Sequence, residues 1–160
     1  MVPRALHLET RTVNSPLEYA TSDVRRFTLF SRDLVDVPFE ENDTYFRETK
    51  TTQRTGRAGR PLKKPRVHVI PGAPPGTVAF LDWHPMGSDA IYIDYMRVRR
   101  ELRGEGLGRR LVANFYESVV QPSRARYMDW GKVMNEAAWK VYEEAQRRYP
   151  NIHHHAKVFF

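Results

Sequence analysis

The chain has 160 residues, 41% of them hydrophobic, and a formal net charge of +7. That suits one core-forming domain over residues 1–160 and excludes a wholly disordered chain. Cysteine is absent, which removes disulfide frameworks, thiol nucleophiles and cysteine-held metals. No stretch approaches the roughly 18 apolar residues that span a bilayer, and the opening Met1-Val2-Pro3-Arg4 starts no apolar leader. A cytoplasmic protein without membrane contact is therefore expected.

Ser15-Pro16 is a favoured helix start, and Leu17, Val24, Phe27 and Phe30 follow at roughly helical spacing, so a first helix is predicted over Ser15–Ser31. Between Arg47 and Arg66 stand eight basic residues and the single acid Glu48, a surplus equal to that of the whole chain. Gly56, Gly59, Pro61 and Pro65 disfavour helix and central strand alike. Lys50–Lys64 is thus expected to be an exposed, mobile loop, with a short apolar run, Val67–Ile70, after it. Inside the loop, Gly59-Arg60-Pro61 with Arg57, Lys63 and Lys64 resembles the AT-hook, which sets arginine into the narrow minor groove of A·T-rich DNA. Ala58 and Leu62 depart from that pattern. The plainer reading of these four cations is a solvated basic loop.

Further along, Gly76–Trp83 and Ile91–Val98 read as strands, the second β-branched and aromatic on both faces and so central. They should pair antiparallel across Pro85–Asp89. Gly106–Gln121 carries Leu107, Leu111 and Phe115 on one line, as an amphipathic helix stopped by Pro122. A short strand follows at Arg126–Trp130, a helix over Asn135–Tyr149 that Pro150 ends, and a last strand at Ala156–Phe160. This order gives an α/β or α+β fold, a mixed sheet covered by helices. Trp83, Trp130 and Trp139 are core or pocket lining, and His153–His155 is an exposed run rather than a metal site; no metal is expected.

The junction Val98-Arg99-Arg100-Glu101-Leu102-Arg103-Gly104-Glu105-Gly106-Leu107-Gly108-Arg109-Arg110 leaves the strongest strand and enters the clearest helix, where sites gather in such sheets. Alternate glycines, amides left without partners at the helix start and the flanking Arg103, Arg109 and Arg110 together make an anion cradle that suits a diphosphate. The glycines lack the spacing of a dinucleotide fingerprint, and there is no Gly-Lys-Ser/Thr and no Gly-x-Ser-x-Gly elbow.

The spacing of Arg103, Gly106 and Gly108, with Val98 five places upstream, resembles the acyl-coenzyme A signature of the GCN5-related N-acetyltransferase (GNAT) family. Asn135-Glu136-Ala137-Ala138-Trp139-Lys140-Val141-Tyr142 is similar to the family's second signature. The resemblance runs from about Ile91 to Tyr149; Met1–Trp83 adds only generic content. It implies a mixed, mostly antiparallel sheet and direct transfer of an acetyl or related acyl group from coenzyme A to an amine of unknown identity. It also implies that the amides of Arg103, Gly104, Glu105, Gly106, Leu107, Gly108 and Arg109 hold the diphosphate, and that Met96, Arg97 and Val98 pair with the pantetheine arm. The thioester would lie where this strand splays from Tyr127–Trp130. Tyr142 matches the family's acid, its bland alternative being a core aromatic. Asn135 would meet the pantetheine or simply cap the helix. Asp94 is the first choice of base and Asp129 the second; alternation should put Tyr92, Asp94 and Met96 on one face. Two other functions stay open, an enzyme of this type that docks on or modifies nucleic acid through the basic loop, and a binding module that has lost turnover.

Overall fold

The computed structural model describes residues 7–14, 24–37, 39, 43–47, 66–70 and 73–160, with only the backbone of 12–14, 43–47 and 66–70. Its strands are β1 (Leu8–Asn14), β2 (Arg25–Ser31), β3 (Asp43–Arg47), β4 (Arg66–Ile70), β5 (Thr77–Met86), β6 (Ala90–Val98), β7 (Tyr127–Val133) and β8 (His153–Val158). The helices are α1 (Leu107–Phe115), α2 (Gln121–Ser123) and α3 (Glu136–Arg148). Six strands form one sheet in the order β1-β2-β5-β6-β7-β8, and β3 and β4 pair as a separate hairpin. The first four strands of the large sheet run antiparallel, and β7 and β8 join parallel. This is the mixed, mostly antiparallel α/β sheet expected.

The helix expected over Ser15–Ser31 is not found where the chain is described. Arg25–Ser31 is a strand, paired with β1 on one side and β5 on the other. Arg26 through Ser31 are all buried, because β2 is covered on both faces, and a continuous apolar run says nothing about period. Residues 15–23 lie outside the described set. Ile91–Val98 lies centrally, as predicted, and pairs with β5 antiparallel. Pro85 sits inside β5, opposite Ile91, at no cost to the other ladder, since β2 pairs with β5 only as far as Trp83.

The main core lies between the sheet and α1 and α3. Phe115 meets Phe27 and Trp83 edge-on at 5.5 Å each, and Leu111, Met128, Trp130 and Ala145 close around them. Trp139 packs against the same cluster. Pro122 does not stop the first helix. The chain widens into a π turn at Tyr116–Val120, continues through α2, and ends at Arg124 in the left-handed region. A proline cannot donate to the carbonyl four residues back, and the wide turn just before it absorbs that missing bond. The last strand also begins earlier than expected, at His153.

Candidate active site

Val98 ends β6, and a single 3₁₀ turn, Arg100–Leu102, plugs the buried Leu102 into the core before the chain turns into α1. Two glycines make that turn. Gly104 has φ +86° and Gly106 φ +78°, a region that costs other residues roughly 1–2 kcal/mol. A Cβ on either would meet no protein atom within 4 Å, so the left-handed backbone and not a tight protein contact selects glycine. The loop Arg103–Gly106 is exposed. Gly106 caps α1 without a side-chain bond, and the first amides of a helix have no partner within it. The loop therefore presents main-chain donors and the positive end of a helix to the outside. Arg103 folds back and donates from Nε to the Val98 carbonyl at 3.1 Å. Arg109 reaches Glu144 of α3 at 3.2 Å, an exposed pair that contributes little stability.

The Val98 carbonyl thus points away from β5, whereas the Arg99 amide donates to Val78 at 2.9 Å. By strand alternation the backbone groups of Met96 share the outward side of Val98. That side is open: β6 pairs with β7 only at Ala90–Tyr92 against Tyr127–Asp129. Beyond, the two strands part. On β7 the parting coincides with a register shift against β8 and with Gly131, whose φ is +62°. Asp129 accepts the Gly131 amide at 2.8 Å, so its carboxylate is occupied in holding this bend.

Asp94 stands two residues past the last β6–β7 pair. A register shift between Asp82 and Trp83 leaves Asp94 out of the β5–β6 pairing, and Met96 packs with Ile91 and Ile93 on the main core. The expectation that Tyr92, Asp94 and Met96 share a face therefore fails for Met96, since a bulge reverses alternation beyond it. Asp94 turns to the other face, where its Oδ2 lies 2.7 Å from Nδ1 of His84. Burial raises the carboxyl above its usual range, His84 pulls it back down, and the neighbouring Asp82 adds a further upward push. Asp82 itself is fully buried and takes two hydrogen bonds from Arg26, at 2.9 and 3.1 Å. His84 had no motif to flag it in the sequence; its only signal was a place ten residues from Asp94 across a strand pair.

Tyr142 is buried on α3 among Trp130 (5.4 Å), Trp139 (4.9 Å) and His154 (6.1 Å). Burial first, and the charge of Asp129 second, raise its phenol above the ordinary value. Asn135 caps α3, its Oδ1 accepting from the Ala138 amide at 2.8 Å, which is the capping role; it stays exposed. Tyr142 and Asp94 thus approach the parting strands from opposite faces of the sheet. The histidine run is not uniformly exposed. His154 points inward, where Trp130 donates to the Tyr116 hydroxyl at 3.1 Å, that hydroxyl meets His154 Nε2 at 2.8 Å, and His154 Nδ1 meets the Ile152 carbonyl at 3.1 Å. No metal-binding group is found among the described residues, nor any helix long and apolar enough to cross a membrane. Arg57, Arg60, Lys63 and Lys64 lie outside the described residues.

The exposed glycine loop, the open β6 edge and the parted strands are a fit for a phosphorylated thioester carrier. Residues 29–146 match the sequence profile of the acetyltransferase (GNAT) family, so the likeness begins well upstream of Ile91, the limit set by the motifs. The crystal structure of nourseothricin acetyltransferase is similar over 67% of this chain and 72% of its own, with 19% identity and a TM-score of 0.34, figures too low to bear on the site. Among curated proteins no match is found. Since the profile covers more than half of its length, the chain belongs to the acetyltransferase (GNAT) family, enzymes that move an acyl group from coenzyme A to an amine.

Proposed function

We propose that this chain is a single-domain N-acyltransferase that binds acetyl-coenzyme A, or a related acyl-coenzyme A, through Arg103–Arg109 and passes the acyl group directly to an amine. One observation carries it: the left-handed turns at Gly104 and Gly106 expose consecutive amides at the start of α1, beside the open edge of β6. Bound there, the carrier supplies an activated thioester carbonyl. The outward backbone of Met96 and Val98 would bind and orient its arm as an added strand, with Arg97 between them turned away beneath Phe39. Asp94, directly or through the side chain it contacts, supplies the base that takes a proton from the amine. Tyr142, held protonated by burial, gives its phenolic proton to the departing sulfur. With no cysteine in the chain, direct transfer is the simplest route.

Calorimetric titration of the full chain with acetyl-coenzyme A tests this: measurable heat that is lost in Gly106→Val is expected, and absence of heat in the unsubstituted chain rejects the proposal. Tyr142→Phe should leave that binding unchanged and lower acyl transfer by about a hundredfold, the scale of one general acid. Equal turnover in both would assign Tyr142 to the core alone and turn the search for the acid elsewhere. Docking on nucleic acid rests on the charge of Arg47–Arg66 and nothing in the described fold.

A further inference from the structure

We propose that His84, not Asp94 itself, is the group that exchanges a proton with the incoming amine, and that Asp94 is the positioning residue that fixes its tautomer. The inference rests on the acyl-transfer reading above and assigns one role within it. Three observations carry it. The bulge turns Asp94 towards β5, and its Oδ2 sits 2.7 Å from His84 Nδ1. An ionised carboxylate only accepts hydrogen bonds, so Nδ1 holds the proton and Nε2 keeps its lone pair. The His84 side chain is 29% exposed against 11% for Asp94, so the imidazole is the more accessible of the two to an incoming amine.

The surroundings support the assignment. The His84 ring lies on that of Tyr92, centroids 5.2 Å apart, which fixes its plane. The other nearby carboxylate, Asp82, holds the two bonds from Arg26. Among the described residues, the charged or titratable groups on this sheet face include Arg26, Asp82 and Tyr92, with Tyr95 and Arg97 farther along β6. The raised carboxyl of Asp94 would make it a stronger base once ionised, but its burial leaves the imidazole as the outlet for that charge.

The step balances as follows. The neutral amine's nitrogen forms the C–N bond as the C–S bond breaks, its proton passes to Nε2, and the sulfur takes the Tyr142 proton. Solvent then carries the imidazolium's extra proton back to the phenolate, and the net products are the amide and the free thiol.

Long-range ¹H–¹⁵N spectra of the full chain, with the His84 signals assigned by their loss in His84→Asn, read the tautomer directly. The neutral Nδ1–H form is expected in the unsubstituted chain, giving way to a mixture in Asp94→Asn. A dominant Nε2–H form would overturn the proposal, because that atom would have no lone pair to offer. With acetyl-coenzyme A and spermidine as the probe amine, His84→Ala should lower kcat/KM about a hundredfold and be partly rescued by added imidazole, which a purely structural role would not allow; unchanged kcat/KM overturns it. A chain that shows the Nδ1–H form but takes up no acetyl-coenzyme A in the calorimeter would sink the acyl-transfer reading and leave the His84–Asp94 geometry intact.

Discussion

His154 packs against two aromatic rings, stacked near Tyr116 at 5.8 Å and edge-on to Tyr142 at 6.1 Å. Burial is the first cause that lowers its pKa from 6.5, and its contact with the Ile152 carbonyl only partly opposes this. The folded chain therefore holds fewer protons here than the unfolded chain. Its neutral state contributes stability that is fully present above about pH 6.5 and is lost as pH falls from there through the lowered folded value. We expect the urea midpoint to decline as pH drops below 6.5, and His154→Gln to flatten that decline; a midpoint equally steep in the variant would show that other groups dominate. The same histidine shows the limit of reading residues singly. A run of three suggests solvent, but in a strand alternate side chains face opposite sides, and only pairing with β7 determines which one turns in.

Among the elements, β7 is the one whose bend opens the sheet. At Gly131 the backbone has φ +62°, and a Cβ would lie 2.6 Å from the Tyr92 hydroxyl. Gly131→Ala should therefore destabilise the fold by about 1–3 kcal/mol, from left-handed strain and the clash. Adding Tyr92→Phe should recover most of the part due to the clash, leaving the ring carbon at 3.1 Å and the backbone part. Denaturant midpoints of the single and double variants check this, and no recovery would mean that the strain alone sets the cost. The second half of the sheet was legible in the sequence because each of its elements has its own stop signals: Asn135 begins α3, Pro150 follows it, and Ile91–Val98 is bounded by turns. β2 was not, because Val24, Phe27 and Phe30 fit helical spacing and a doubly covered strand equally well. The glycine loop was legible as a motif. The His84–Asp94 contact was not, since it depends on a register shift between β5 and β6, and a one-residue shift redirects every side chain beyond it.

At the scale of the molecule, one sheet couples the loop at the start of α1 to the parted strands through β6. A carrier held by both should bind the folded chain and not the unfolded one. At a concentration about a hundred times its Kd it would add roughly 2.7 kcal/mol, which for a chain of this size raises Tm by roughly 5–10 °C. Differential scanning calorimetry with acetyl-coenzyme A, against coenzyme-free buffer, measures the shift; an unmoved Tm under saturating conditions would contradict binding to the native state. The long helix after the loop adds a constraint of its own. The wide turn at Tyr116–Val120 is equivalent to one residue spliced into regular winding. Removing any one of those five would rotate everything after it by about 100°, taking the amides of Arg126 and Tyr127 off the Asp89 carbonyl that they share at 2.7 and 3.1 Å. The extra residue is a spacer in the phase of the helix, letting its front end answer to the loop while its far end keeps step with the tip of the β5–β6 hairpin.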